Sequence, residues 1–275
     1  MKIIRDLAAL RATSAESRQN GRRLALVPTM GALHAGHLAL VAAARQAAET
    51  VAVSIFVNPL QFLASEDLSR YPRDEAGDLA KLSAAGCDLV WMPEVATMYP
   101  DGAATTVEVA GPAEGYEGSA RPGHFRGVAT VCTKLFSQTG ADVAVFGEKD
   151  WQQLQVVRRF VADLDLPIRI QAHATVREAD GLAMSSRNVR LSEAERAVAP
   201  TLPRVMQSVL GAIRGGAPLA PTLAHGMATL REAGFAPDYL DLVQPETLRP
   251  WESGPGRLLA AAKLGDVRLL DNMAL

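Results

Sequence analysis

The sequence predicts an α/β fold in which a parallel sheet flanked by helices is followed by a smaller α+β domain. Three observations lead there. Short apolar runs alternate with amphipathic stretches through the first two thirds of the chain. The alternation stops near Val176, where Arg177-Glu178-Ala179-Asp180-Gly181 reads as a turn. At 275 residues the chain is long enough for two ordinary domains. The boundary therefore falls at 176/177, giving domains 1–176 and 177–275.

The elements follow in order. Leu24 to Val27, Val51 to Val57, Asp88 to Met92 and Asp142 to Phe146 are short apolar runs bounded by polar residues, and read as buried strands. Leu38 to Glu49, Asp74 to Ala85 and Arg126 to Thr139 read as the helices between them. Asp150 to Leu164 follows as a helix with Leu154, Val157, Phe160 and Val161 on one face. In the second domain Ser192 and Glu195 have the spacing of a capping box, opening two or three helices that run to about Ala233. Tyr239 to Val243, Arg257 to Ala262 and Val267 to Leu270 complete it as short antiparallel strands, with Pro245 to Pro255 as a loop.

Hydrophobic residues make up 48% and charged residues 21%, the balance of a globular chain with a sizeable core. A formal net charge of −2 carries no electrostatic footprint for nucleic acid. Met1-Lys2-Ile3-Ile4-Arg5-Asp6 lacks the apolar region of a signal peptide, and no stretch has the length of a membrane span. Cys87 and Cys132 are isolated, which suits a reducing compartment and makes the cytoplasm the expected location.

The chemistry concentrates after the strands. His34-Ala35-Gly36-His37 lies between the Leu24–Val27 run and a helix start. A helix N-terminus offers unpaired N–H groups to phosphate, a glycine lets phosphate approach the backbone, and imidazoles can donate to charge developing at phosphorus. This pattern suits nucleotidyl transfer. The two histidines are too few ligands for zinc, and neither cysteine lies near them in sequence. Asn58-Pro59-Leu60-Gln61-Phe62 follows the second of these runs and Gly147-Glu148-Lys149-Asp150 the last, so three loops share one sheet edge, where open α/β sheets bind ligands. Neither the dinucleotide fingerprint nor the P-loop pattern is present.

Lys149 is suited to triphosphate oxygens as a point charge, and Ser185-Ser186-Arg187 combines hydroxyls with a guanidinium fork for the same oxygens. Gln61 and Gln153 suit a small polar substrate, since an amide both donates and accepts. Asp67 to Asp74 is a polar, proline-punctuated stretch with the length of a lid, and Gly115 to Gly127 is the longest glycine-punctuated loop.

These motifs together resemble the pantothenate synthetase family. The matching segments are Pro-Thr-Met-Gly-Ala-Leu-His-x-Gly-His at 28–37, Ser-Ile-Phe-Val-Asn-Pro-x-Gln-Phe at 54–62 and Tyr-Pro-Arg at 71–73. Glu-Gly-x-x-Arg-Pro-Gly-His-Phe-x-Gly-Val at 117–128, Phe-Gly-x-Lys-Asp-x-Gln-Gln-Leu at 146–154 and Asp-Gly-Leu-Ala-Met-Ser-Ser-Arg-Asn at 180–188 follow in family order. The resemblance implies a Rossmann-like nucleotidyltransferase domain that binds ATP and pantoate, a C-terminal domain that closes over ATP, and a homodimer. It also implies ATP-dependent joining of pantoate to β-alanine through pantoyl adenylate, with Mg2+ on the phosphates.

By matching position, His34, His37 and Lys149 would be catalytic and Ser185, Ser186 and Arg187 would hold polyphosphate. Gly147 and Asp150 would meet the ribose, and backbone near Val176 and Met184 the adenine, with Met30 also at the nucleotide. Gln61 and Gln153 would hold pantoate against Met30, Phe62 and Val131, while Asn58 would lie on the β-alanine side. Where the family often has neighbouring aspartates, Gly77 precedes Asp78, leaving Asp78 as the candidate magnesium contributor. Cys132 replaces a common valine beside the pantoate pocket. Two other readings stay open: a nucleotidyltransferase acting on a phosphorylated acceptor, and a non-catalytic ATP sensor.

Overall fold

A computed structural model describes residues 1–62, 68 and 71–275. The expected lid at 67–74 lies partly outside the described residues, at 67, 69 and 70. The chain forms two compact units: Met1–Gly147 with Gln152–His173, and Glu148–Trp151 with Ala174–Leu275. The division at 173/174 places Val176 in the second unit, and the four residues 148–151 join that unit although their neighbours on both sides belong to the first.

The first unit runs β1 (Lys2–Ile4), α1 (Leu7–Gln19), β2 (Leu24–Thr29), α2 (Ala35–Ala47), β3 (Thr50–Ile55), α3 (Glu75–Ala84) and β4 (Leu89–Trp91). It continues with α4 (Val95–Met98), α5 (Tyr116–Ala120), α6 (His124–Thr139), β5 (Val143–Gly147), α7 (Trp151–Asp163, whose first residue groups with the second unit) and β6 (Arg169–His173). The six strands are parallel in the order β1-β4-β3-β2-β5-β6. The central strands are the buried apolar runs, and Ala25, Leu26, Val27, Ala52 and Val53 are fully inaccessible. The edge strands β1 and β6 were not expected, because each is partly exposed and lacks a continuous apolar run.

The chain leaves β2 toward β3 on one side and returns to β5 on the other, which makes the β2/β5 boundary the topological switch point. The β2/β5 ladder pairs Ala25 with Val143 and Leu26 with Ala144 and goes no further, although β2 runs on to Thr29 and β5 to Gly147. Pro28, which has no N–H to give a ladder, falls beyond that pairing. The strands thus part at their carboxyl ends, where the 30–37 loop begins.

The second unit holds α8 (Glu193–Val198), α9 (Thr201–Arg214) and α10 (Leu219–Glu232) over an antiparallel sheet of β7 (Ala236–Val243), β8 (Arg257–Leu264) and β9 (Val267–Ala274). The Ser192–Glu195 capping box forms as expected. Leu202, Met206, Leu230, Leu240, Leu258 and Leu269 join the helices to the sheet in one apolar core. No helix among the described residues is long and apolar enough to cross a membrane.

Candidate active site

The 30–37 loop is held from below by one carboxylate. Gly31 (φ 85°) and Ala32 (φ 51°) both take left-handed backbone, a strained choice for alanine. Asp78, 1% exposed, overdetermines it: one oxygen accepts Ala32 N–H and the other Leu33 N–H, each at 2.7 Å. Lys81 Nζ lies 3.5 Å from the same carboxylate and donates to Leu33 O at 2.9 Å. Asp78, expected as a magnesium contributor, is thus engaged by two backbone amides and fits a clamp better than a metal ligand. Gly77 accompanies it for a different reason, since a Cβ there would displace the Asp74 carboxylate that caps α3.

From this turn the two histidines open α2 as an unusual capping box. His34 Nδ1 accepts Gly36 N–H at 3.1 Å, and His37 Nδ1 accepts His34 N–H at 3.3 Å. A ring nitrogen that accepts carries no proton, so each neutral ring bears its proton on Nε2. The rings lie 4.2 Å apart between centroids. Two Nε2–H donors at a helix N-terminus, beside the parting strands, are suited to an anionic oxygen.

A second polar cluster in the same unit surrounds Gln61. Asn58, 1% exposed, accepts Leu60 N–H and Tyr99 O–H through Oδ1, so its Nδ2 must be the atom facing Gln61 Oε1 and Gly127 O. Burial pushes the Tyr99 hydroxyl far above its usual range, which keeps it a donor. With Oε1 taken at 3.0 Å, Gln61 presents Nε2, which lies 3.2 Å from Met30 Sδ. Asn58 therefore orients Gln61. Val131 is buried on α6, and Phe62 meets Tyr71 edge-on at 5.9 Å. Cys132 is buried, and desolvation holds its thiol up to about 12, so it packs as an uncharged group. Gln153 is half-buried on α7. Gly147 ends β5.

In the second unit, Lys149, Ser185 and Arg187 line one cleft with Ala183, Asn188 and Arg268. Val176 and Met184 face each other across a turn, with Met184 N–H donating to Val176 O at 3.0 Å. Ser185 Oγ accepts Arg187 N–H, and Ser186 lies between them in the same half-buried loop. Lys149 Nζ lies 3.3 Å from the Asp150 carboxylate. Asn272 Nδ2 donates to both Glu148 O and Lys149 O at 2.8 Å, fastening the lysine segment to β9. Arg257 stacks 3.7 Å over the Trp151 ring and donates to Glu148 at 2.9 Å.

The positioning groups Asp78 in its clamp role, Tyr99, Asn272 and Arg257 were not foreseen. Of these, Asn272 carries a sequence signal, a polar side chain inside the apolar run Leu269-Leu270-Asp271-Asn272-Met273, where Asp271 is 4% and Asn272 3% exposed; Asp78, Tyr99 and Arg257 sit in no such run.

The Pantoate-beta-alanine ligase family matches residues 2–274. Pantothenate synthetase of Acidiphilium cryptum (strain JF-5) is 57% identical over the full length of both chains. The protein of the same name from Rhizorhabdus wittichii is 56% identical over 100% of this chain and 98% of its own. Among solved structures, pantothenate synthetase from Thermus thermophilus superposes with a TM-score of 0.93 at 47% identity, covering 99% of each chain. Pantoate-beta-alanine ligase from Francisella tularensis, complexed with beta-gamma ATP and beta-alanine, gives 0.85 at 30% identity over 99% of this chain and 97% of that one.

Proposed function

The chain belongs to the pantoate–β-alanine ligase family, and from that premise we propose how its residues carry the ATP-dependent condensation of pantoate with β-alanine. The observation that carries the reading is the histidine capping box, which commits both Nδ1 atoms to backbone and leaves Nε2–H as the donor of each ring.

A carboxylate is unreactive toward an amine, so the reaction divides in two. A pantoate carboxylate oxygen bonds to the α-phosphorus of ATP, and the bond to the β-phosphate oxygen breaks to release pyrophosphate. The β-alanine nitrogen then attacks the acyl carbon, AMP leaves with the bonding pair, and the amine gives up a proton. His34, His37 and Lys149 stabilise the charge that builds on the phosphates during the first step. Ser185, Ser186 and Arg187 hold polyphosphate, Gly147 and Asp150 the ribose, and the backbone of Val176 and Met184 the adenine, with Met30 beside the nucleotide. Gln61 and Gln153 hold pantoate against Met30, Phe62 and Val131. Asn58 acts on the β-alanine side through its hold on Gln61.

Magnesium is placed on the nucleotide phosphates, where it would offset their repulsion, and not on Asp78, whose oxygens are engaged. The second unit is assigned the closing role, and the chain a homodimeric state on the strength of the family resemblance. The two free, buried thiols fit a cytoplasmic setting.

Exchange of labelled pyrophosphate into ATP, with pantoate present and β-alanine omitted, tests the reading. Pantoate-dependent exchange is expected. Its absence with ATP binding intact would favour a different acid or a nucleotide sensor, and a stable nucleotidylated product from a phosphorylated acceptor would favour the transferase reading.

A further inference from the structure

The glycine-punctuated stretch ahead of α6 is tied at one end to α7 and at the other to the Gln61 turn. Gln152, 5% exposed, commits its whole side chain to the backbone of this stretch. Its Oε1 accepts Glu117 N–H at 2.9 Å, and its Nε2 donates to Pro112 O and Glu114 O at 3.1 Å and Gly115 O at 3.3 Å. Gln152 is the immediate neighbour of Gln153 on α7.

At the other end, two donors converge on one acceptor. His124 Nδ1 lies 2.9 Å from Gln61 O, and Arg121 Nη2 donates to the same oxygen at 3.3 Å. Arg121 Nη1 also reaches His124 Nε2 at 3.1 Å. A guanidinium only donates, so Nε2 accepts and Nδ1 carries the proton given to Gln61 O. Both ends are packed without slack. A Cβ on Gly118 would run into Ala113 O, and one on Gly127 would run into Leu60 O and Gln61 N.

We propose that residues 112–127 are a strut that sets the placement of Gln61 relative to Gln153, with Gln152 and His124 as positioning residues that determine how tightly the acid substrate is held. This rests on the reading that Gln61 and Gln153 hold pantoate. The strut works through backbone: Gln152 fixes one end of α5, Arg121 and His124 lie beyond its other end, and they hold the carbonyl of the residue whose amide meets the acid. A displacement of a fraction of an ångström at that carbonyl is passed to Gln61 and weakens a geometry-dependent hydrogen bond to substrate.

The test measures KM for pantoate, KM for ATP and kcat in the exchange reaction for Gln152→Leu, His124→Gln, His124→Asn and Gln61→Ala, with melting temperatures alongside. Gln152→Leu and His124→Gln are expected to raise the pantoate KM about tenfold while the ATP KM stays within about twofold, as loss of one positioned hydrogen bond requires. His124→Asn, whose amide can donate near the Nδ1 position, should recover most of the pantoate KM. The strut is overturned if Gln61→Ala raises the pantoate KM but the folded Gln152 and His124 variants do not. It is also overturned if those variants move both KM values together, or if His124→Asn is no better than His124→Gln. Should Gln61→Ala itself leave the pantoate KM unchanged, the assignment of Gln61 to the acid falls first and the strut with it. If Gln152→Leu fails to fold, the two His124 variants decide.

Discussion

The two units hold their candidate site loops by different chemistry. In the first, the histidine loop rests on one buried carboxylate beside Lys81 and the Gln61 turn on Asn58, His124 and Arg121, with most of these bonds made to backbone groups. In the second, the loops around Ser185–Arg187 are braced by ion pairs. Arg177 grips Asp271 with two bonds at 2.7 and 2.8 Å, Arg196 reaches both Asp180 and Glu178, and Arg257 reaches Glu148. Backbone partners fix geometry and respond little to salt, whereas a partly exposed pair such as those of Arg196 fixes it less tightly and is screened. On the proposed assignments, backbone-held geometry falls where an acid and reacting phosphorus would be aligned, and ion-paired bracing where polyphosphate would be gathered.

The sharpest break of this comparison takes one side chain from each unit. His37→Ala and Lys149→Ala should each slow pyrophosphate exchange at least about a hundredfold, the scale of one lost transition-state donor. Near-normal exchange in both would remove their assigned roles. Next is Arg177→Ala, which strands Asp271, a carboxylate with 1% side-chain exposure. Denaturant unfolding should show a loss of about 3 kcal/mol, since breaking a buried pair leaves an uncompensated charge. By contrast Arg196→Ala, whose partners are about one-third exposed, should cost under about 1 kcal/mol and less in high salt. Equal losses for the two arginines would mean that burial does not decide the strength of these braces.

Asp78→Asn comes after these. One of the two N–H groups of Ala32 and Leu33 would face an amide NH2 in place of an oxygen, for a loss of about 2 kcal/mol. Magnesium titration of the exchange reaction separates the clamp from a metal role: the clamp predicts a lower kcat with an unchanged magnesium midpoint, and a shifted midpoint would return Asp78 to the metal.

The candidate site groups are visible in the sequence because they sit where a strand or a turn ends. His34 and His37 follow β2, Gln61 follows β3, Lys149 follows β5, and each lies in a contiguous motif. The buried strands were legible for the same local reason, as continuous apolar runs, while β1 and β6 lack such runs, every residue but Ile4 being exposed or only half-buried. The supporting groups were hidden because their partners are distant in sequence. Asp78 serves amides 45 and 46 positions away, His124 a carbonyl 63 away, and Asn272 carbonyls 123 and 124 away. Local periodicity cannot pair them; only the parallel crossovers of the first unit and the return of β9 to residues 148–149 bring them together. Arg121, 60 positions from Gln61, likewise bonds directly to its carbonyl.

The smallest expected effects concern pH and set two carboxyls, one from each unit, against each other by sign. In the first unit Glu49 accepts N–H and guanidinium bonds from Arg23, which hold its carboxyl down to about 2. A carboxyl depressed on folding adds stability above its unfolded range, and that contribution fades as pH falls toward 2. In the second unit, burial alone raises the carboxyl of Asp241 on β7, so charging it opposes folding. Its folded state is favoured below the ordinary carboxylate range and loses that advantage as pH rises through the raised value. Glu49→Gln should therefore lower the melting temperature slightly at pH 7 and converge with the parent as pH approaches 2. Asp241→Asn should raise it slightly at pH 7 and converge near pH 3, provided the amide is accommodated. Melting curves from pH 2 to 8 check both, and a same-sign effect at pH 7 would show that burial does not govern Asp241 as its surroundings imply.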